Sequence, residues 1–331
     1  MARLFQESFE AGHVLRFSSI SDSGVGPIAN SSLDGSYLCQ LGAGRWVEKI
    51  FGTALSEAYI GNYHFTQDTA AQRVVSWRVS GTSTELGRVQ LNGSTKKLEA
   101  LVGGSVVATG ATILNASTKY HIQVHIKIAD AGGVLDVKLD DVPQITFAGD
   151  TKPGADTTFD AIRWGDQGNS YMDNMVVNDI TGGADNTWPG IVRFKILQPN
   201  ANGNYNLNWT RFNTGIPAWD NVDEIPHDSD TTYLYTTSAA VKESFGMADQ
   251  SLTAVTYKSL ITAAIVKKDS GTIKLKIGIR DLDNATDYQA AAVDVGVSYG
   301  VVEERRTVDP STAAAWTSSG INATEALIES A

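Results

Sequence analysis

The chain has 331 residues, of which 42% are hydrophobic and 19% are charged, so it contains enough apolar material for folded cores. Its formal net charge of −11 argues against nucleic-acid binding, which needs a basic surface, and against a polybasic membrane-surface protein. No apolar run approaches the roughly 18 residues that a membrane-spanning helix needs. The length predicts two domains, because most domains have about 100–200 residues.

Two features of the sequence bear on where the protein is made. Residues 1–12 carry charges and no apolar core, so we expect no secretory signal peptide. Cys39 is the single cysteine, which excludes an internal disulfide and fits folding in a reducing cytoplasm. Cys39 alternates with Tyr37 and Leu41, and this pattern predicts a small buried hydrophobe instead of a catalytic thiol.

Alternation of apolar and polar residues with a period of two runs through most of the sequence. It is clearest in residues 75–79, 119–128, 134–139 and 272–280. This pattern predicts strands with one buried and one solvent-facing side, as in antiparallel sheets packed face to face.

Turn residues separate these segments and favour the same fold class. Asn92-Gly93 and Gly103-Gly104 supply the positive φ angles of tight hairpins. Segments with helical periodicity are nearly absent, and residues 323–330 are a candidate for a short C-terminal helix. We therefore predict an all-β protein built from two antiparallel β-sandwich domains.

The best domain boundary is a glycine- and proline-bearing stretch between two strand-like runs, at residues 181–190. We predict a first domain at residues 1–180, a linker at 181–190 and a second domain at 191–331. Both halves are mildly acidic, so neither is a dedicated binder of polyanions.

Short motifs follow one another in a recognisable order through the first half. They are an opening Phe5-Gln-Glu-Ser-Phe-Glu10, Trp77, the Asn92-Gly93 hairpin, a strand that ends in Asp140-Asp141, and a closing Tyr171-Met-Asp-Asn-Met-Val-Val-Asn-Asp179. In this order they resemble the concanavalin A-like (laminin G-like) jelly rolls, with Asp141 where that family usually has glycine. The resemblance covers residues 5–179 and implies a jelly-roll fold, which lectins, glucanases, adhesion modules and virion proteins share.

The carboxylates of the first half argue against an enzyme. Glucanases of the resembled fold carry a Glu-x-Asp-x-Glu strand, because retaining hydrolysis needs two carboxylates about 5–5.5 Å apart. The sequence contains no such strand. Its nearest cluster is Asp136, Asp140 and Asp141, which with Lys138 suits a solvated hairpin end. We therefore expect a non-enzymatic protein with no catalytic residues.

The second half carries its own ordered set of motifs. They are Asn186-Thr-Trp-Pro-Gly-Ile-Val-Arg193, Gln198-Pro-Asn-Ala-Asn-Gly-Asn-Tyr205, an acidic turn in residues 222–233, Lys267-Lys-Asp-Ser-Gly271 and Asp309-Pro-Ser-Thr-Ala-Ala-Ala-Trp-Thr317. Together they resemble a β-sandwich segment at the C-terminal end of tailed-bacteriophage virion proteins, although the acidic turn is less dense than is usual there. The resemblance implies a structural protein on the virion exterior, as a capsid decoration or a tail-associated appendage. Its partners would be other virion proteins and its own copies. The alternative is a glycan-binding adhesin or receptor-binding module for a host-surface glycan.

Two tryptophans lie in loop-like contexts and are candidates for ligand binding. Trp164 precedes Gly165-Asp-Gln-Gly168, and Trp219 lies in Pro-Ala-Trp-Asp. An exposed indole there would stack on a glycan or pack against a partner chain, with burial as the alternative. Trp77 alternates with apolar neighbours and is expected in the core.

Two groups of residues contain side chains of the types that bind metal ions. Asp223, Asp228 and Asp230 are candidate Ca²⁺ ligands, because this ion prefers carboxylate oxygens, and no other cofactor is indicated. His121 and His125 are four residues apart on one strand, a span of about 13 Å that excludes a shared metal. They are expected on a polar outer face. The aspartates of residues 281–287 predict a hairpin turn.

The two ends of the chain are candidate contact surfaces. The arm Met1–Phe9 is expected to add as a strand to a neighbouring subunit's sheet. Phe5 and Phe9 on this arm, and Trp316 in the segment 316–328, are therefore candidate interface residues. A homo-oligomer or a lattice is the expected assembly.

Overall fold

The computed structural model describes residues 3–22, 24–30, 33, 35–66, 70–82, 84–252 and 254–331. It contains two compact units, Met1–Lys195 and Ile196–Ala331. Almost all regular structure is β, arranged in antiparallel sheets, and the predicted fold class is confirmed. The division between the units falls after residue 195, beyond the predicted linker.

Fifteen strands are present among the described residues of the first unit. They are β1 (Arg3–Glu7), β2 (Ser19–Ile20), β3 (Gly26–Ala29), β4 (Tyr37–Leu41), β5 (Trp46–Leu55), β6 (Glu57–Thr66), β7 (Gln72–Arg78), β8 (Glu85–Leu91), β9 (Lys97–Val102), β10 (Ser105–Ile113), β11 (Thr118–Lys127), β12 (Gly133–Leu139), β13 (Val142–Gly149), β14 (Phe159–Gly165) and β15 (Ser170–Asn178).

These strands form a two-layer sandwich. One sheet has the order β13-β12-β11-β6-β15-β4-β3, with β1 also paired to β15, and the other has the order β10-β9-β8-β7-β14-β5-β2. The inward side chains of both layers form one continuous core, which includes Trp77, Ile122 and Val124. Burial of this apolar area is the main stabilising contribution.

The local sequence patterns account for much of this unit. β11 and β12 confirm the predicted strands at 119–128 and 134–139, and Trp77 is fully buried as expected. Gly103 and Gly104 both have positive φ in the turn between β9 and β10. Cys39 is fully buried, and burial raises the pKa of its thiol, so it behaves as a core hydrophobe.

The second unit contains ten strands and two short helices within its described residues. They are β16 (Pro199–Asn202), β17 (Thr210–Arg211), a 3-10 turn (Trp219–Asn221), β18 (Leu234–Tyr235), β19 (Lys242–Met247), β20 (Leu260–Val266), β21 (Lys274–Asp281), β22 (Thr286–Gln289), β23 (Val293–Asp294), β24 (Gly300–Arg306), α1 (Ser318–Asn322) and β25 (Thr324–Ser330).

The main sheet of the second unit has the order β16-β19-β25-β21-β22, with β23 also paired to β21. Ile279, Trp316 and Ile321 form its buried cluster, to which the β20–β24 ribbon adds Leu260. The predicted helix at residues 323–330 is wrong, because these residues form β25 at the centre of the sheet. The helix α1 has five residues, and no helix in the described part of the chain has the length and apolar character needed to cross a membrane.

Candidate functional site

The outer face of the larger sheet of the first unit carries aromatic and polar side chains. The strand register places Tyr63 opposite His121 and Tyr59 opposite His125, with Gln123 between the two histidines. The histidines share one face, as the spacing predicted. However, His121 is only 3% exposed and Gln123 is fully buried, so the centre of this face is not solvated.

The predicted linker covers the centre of that face. Gln123 Oε1 accepts a hydrogen bond from the backbone N of Gly190 at 2.8 Å, and Pro189 lies against Gly61. The Asn178 side chain donates to the backbone O of Thr187 at 2.9 Å. Residues 181–190, the predicted linker, therefore form a strap whose residues 187–190 pack on the sheet.

Trp188 is the main side-chain anchor of this strap. Its ring makes edge contacts with Tyr59 at 5.4 Å and with His125 at 5.9 Å between centroids. The Lys138 ammonium lies 4.0 Å from the centroid of the indole ring, within the range of a cation–π interaction. Trp188 is therefore committed to contacts within its own unit.

The carboxylates beside this face are also engaged. Asp140 Oδ1 accepts the backbone N–H of His121 at 2.8 Å, and Asp141 Oδ1 accepts the Gln123 amide at 2.6 Å. Asp136 lies 3.7 Å from His125 Nδ1. Burial lowers the pKa of His121, although Asp141 and Asp140 oppose that effect. These groups hold the hairpin and the strap in place.

A third histidine of the same sheet, His64, lies inside the sandwich. Its side chain is fully buried, and Nε2 donates to Gln72 Oε1 at 2.8 Å. No hydrogen bond to Nδ1 is found among the described residues. Burial lowers the pKa of His64 to about 4, against a smaller opposing effect of the Gln72 hydrogen bond.

The two edge strands at one side of the sandwich contain no charged residue. The terminal strands of the two sheets, β10 and β13, adjoin there, and the Gln144 side chain accepts the backbone N–H of Thr112 at 3.2 Å. Neither strand contains a charged residue. Val106, Ile113 and Val142 are 51–58% exposed, so β-branched side chains cover this edge.

Trp164 does not present an aromatic face to solvent, which corrects its assignment as a ligand-binding residue. Its side chain is fully buried, although the following Gly165 made a loop plausible. Its ring lies 5.8 Å from Phe5 and 6.1 Å from Phe17 between centroids. The pairing of β14 between β5 and β7 places this side chain in the core.

The N-terminal arm is part of its own unit, which corrects the predicted strand addition to a neighbour. β1 pairs with β15, with Phe5 opposite Val177. Phe5 is 6% exposed and Phe9 is fully buried, so neither is available as an interface residue. The first two residues of the predicted arm lie outside the described residues.

Trp316 is also a core residue. It is 3% exposed, and its indole N–H donates to the backbone O of Arg306 at 2.9 Å. Its assignment to an interface is therefore corrected. Trp219, in contrast, is half-buried at the start of the 3-10 turn, and its role in ligand binding stays a prediction.

The proposed Ca²⁺ ligands do not converge. Asp230 pairs with Lys267 at 2.6 Å, while Asp228 accepts the hydroxyl of Thr232 at 2.7 Å. Burial and the nearby Asp220 raise the pKa of Asp223. Within the residues that the structure describes, no three acidic, histidine or cysteine side chains could hold a metal ion. The Ca²⁺ assignment is therefore corrected.

The second unit exposes an aromatic row that the sequence analysis missed. Phe212 is 53% exposed and Tyr235 is 45% exposed, with Tyr233 between them. The ring of Tyr233 lies 4.6 Å from that of Phe212 and 6.0 Å from that of Tyr235. The sequence signal for this row is the alternation Tyr-Leu-Tyr at 233–235, which puts both tyrosines on one side of a strand.

A polar network lies on one face of the second unit's main sheet. Asp287 accepts hydrogen bonds from Lys242 at 2.7 Å, from Arg280 at 2.6 Å and from Tyr205 at 2.9 Å. Burial would raise the pKa of Asp287, but these hydrogen bonds outweigh it and hold the pKa below its usual value. The network joins residues from β19, β21 and β22.

Comparison with known proteins finds similarity among solved structures alone. No family model matches the chain, and no curated protein matches it. Among solved structures, it is similar to the cellulose induced protein Cip1, with 9% identity over 57% of this chain and 100% of that chain and a TM-score of 0.43. It is similar to the alginate lyase Aly36B, with 11% identity over 53% and 96% of the two chains and a TM-score of 0.40.

A carbohydrate esterase from the Shiga toxin-encoding bacteriophage phi24B is also similar, with 14% identity over 53% of this chain and 97% of that chain and a TM-score of 0.38. A sialidase matches over 53% of this chain but over only 18% of its own length, with 12% identity and a TM-score of 0.37. Such low identities and TM-scores carry no argument about activity.

Proposed function

We propose that the protein is a non-enzymatic structural protein on the exterior of a tailed-phage particle, where it acts through protein–protein contacts. The order of motifs in residues 186–331 supports the virion assignment by resemblance. The observation that carries the contact role is the charge-free edge formed by β10 and β13.

This edge has the chemistry of a contact surface. Val106, Ile113 and Val142 expose apolar area that solvation disfavours and that a partner surface would bury. The chain as a whole has a net charge of −11, so copies packed side by side repel one another over acidic surfaces. A surface without charge is where that repulsion is weakest.

The contact would be made by side chains more than by strand addition. β10 pairs with β9 through two register shifts, and β13 carries Pro143, and both features limit the pairing of a further strand. Packing of β-branched side chains against a neighbouring subunit needs no free backbone groups. This replaces the N-terminal arm as the proposed anchor.

Quantitative mass spectrometry of purified particles of the phage that encodes the chain tests the proposal. We expect many copies per particle for the wild-type protein. The double variant Val106→Asp with Ile113→Asp should reduce the copy number at least tenfold, since it places two carboxylates in the contact. The control Val297→Asp changes a more exposed valine of the second unit and should leave the copy number unchanged.

Absence of the wild-type protein from purified particles would refute the virion role and leave the glycan-binding module as the better function. Full occupancy by the double variant would refute the edge as the contact surface. Circular dichroism of each variant separates these outcomes from unfolding.

A further inference from the structure

The aromatic row of the second unit lies on one face of a short two-stranded ribbon. β17 and β18 pair with Thr210 opposite Tyr235, and the backbone N of Phe212 donates to the backbone O of Tyr233 at 3.0 Å. Directly opposed residues of a ribbon project to the same side, and so do residues two apart. The three rings and the Thr210 hydroxyl therefore share one face.

The opposite face of the ribbon anchors it to its own unit. Arg211 lies opposite Leu234, and its guanidinium donates to the backbone O of Ile216 at 2.7 Å. The following loop is held by Asn221, which donates to the backbone O of Asn213 at 3.2 Å. The rings are thus presented by a segment fixed from behind.

The two segments that carry the aromatic rings are poor in charged side chains, and the five charged residues of the segment between them, 220–230, are all acidic. Residues 201–219 contain a single charged residue, Arg211, and residues 231–241 contain none. Hydroxyl and amide side chains occur along the ribbon and its flanks, at Thr210, Asn213, Thr214, Thr236 and Thr237. The strand register places Thr210 on the face of the rings. The whole chain of 331 residues has 26 basic and 37 acidic side chains, 63 in all. The near absence of charge in these two segments therefore sets them apart from the rest of the chain.

We propose that this face, Phe212, Tyr233 and Tyr235 with the flanking hydroxyl and amide groups, binds a neutral saccharide. The C–H groups on one side of a pyranose ring are apolar and slightly positive, so they pack on the negative face of an aromatic ring. The sugar hydroxyls require partners that both donate and accept, which threonine and asparagine side chains supply.

The charge distribution selects among ligands that would stack on such rings. A nucleic acid would require cations beside the rings to neutralise its phosphates, and an anionic sugar would need a cation for its carboxylate. The single cation of these segments, Arg211, projects to the other face of the ribbon. A neutral glycan needs no counter-charge. This inference does not depend on the proposed virion role.

The test uses the full chain in native gels that contain a neutral polysaccharide, with dextran, galactomannan, starch and xylan as probes, and alginate as the anionic comparison. A glycan array of neutral and charged oligosaccharides covers a wider set. We expect retardation by at least one neutral glycan, unchanged between low and high salt. Phe212→Ala and Tyr235→Ala should each weaken the affinity for that glycan at least tenfold.

Both side chains are about half exposed, so these variants should keep the wild-type melting temperature. Val297→Ala, which removes another exposed apolar side chain of the same unit, is the matched control and should bind as the wild type does. Absence of binding to every neutral glycan overturns the proposal. So does binding that survives the combined variant Phe212→Ala with Tyr235→Ala, or binding confined to alginate and lost in salt. Loss of particle incorporation by the two variants without any glycan binding would assign the row to a protein contact.

Discussion

The buried His64 should make the first unit sensitive to mild acid. Protonation would place a positive charge in the interior of the sandwich, where Nδ1 makes no hydrogen bond among the described residues. We expect His64→Gln, which keeps a neutral hydrogen-bonding side chain next to Gln72, to remove that sensitivity. The relevant quantity is the change in the free energy of unfolding with pH, and not its value at one pH.

The expected magnitude comes from the pKa of His64. It is lowered from 6.5 to about 4, so below pH 6.5 the unfolded chain binds a proton that the folded chain does not. Stability therefore falls as the pH drops from 6.5 towards 4, and it levels off below the folded pKa. Each pKa unit is worth about 1.4 kcal/mol, so the full effect is about 3 kcal/mol. His121 contributes in the same direction, because burial lowers its pKa as well.

The pH dependence of the unfolding free energy is measured by urea unfolding at pH 7.5 and pH 4.5. Monitoring the unfolding by hydrogen exchange of peptides from β6 and β7 restricts the measurement to the first unit. The wild type should lose about 2–3 kcal/mol more than His64→Gln between the two pH values. The control Ser76→Ala changes a fully buried residue that does not titrate, and should follow the wild-type pH dependence. An equal loss in the wild type and in His64→Gln would refute the reasoning.

Three further predictions concern the strap, the core and the polar network. Trp188→Ala should lower the free energy of unfolding by about 1–2 kcal/mol and speed limited proteolysis within residues 181–190, because the contacts with Tyr59 and Lys138 are lost. An unchanged rate of cleavage would contradict a packed strap. Trp164→Ala should cost about 3–5 kcal/mol in urea unfolding, because a large core side chain is removed, whereas a surface role predicts almost no loss. Asp287→Asn should be less stable than the wild type at pH 7, because the ionised carboxylate of Asp287 stabilises the folded state. This difference in stability should vanish as the pH falls from about 3.8 through the lower pKa that Asp287 has in the folded protein. A difference that persists at pH 2 would show that ionisation of Asp287 is not its cause.

Much of the all-β architecture was readable from the sequence because side-chain alternation is a local property of a strand. β11 and β12 follow their period-two pattern, and Gly103-Gly104 marks the turn where the structure has it. Trp77 was placed in the core from its two apolar neighbours alone. Each of these inferences needed only residues that are close together in the chain.

Tertiary structure decided the features that depend on distant residues. Residues 324–330 contain good helix formers, yet they form β25 because β19 and β21 supply pairing partners on both sides. The strap at 181–190 has the composition of a linker, and only its contacts with β6 and β11 show that it is packed. Phe212 and Tyr235 are 23 positions apart, and the β17–β18 register brings them to one face. Local pattern specifies which side of a strand is buried, whereas sheet pairing specifies what lies beside it, because pairing joins segments that the sequence keeps apart.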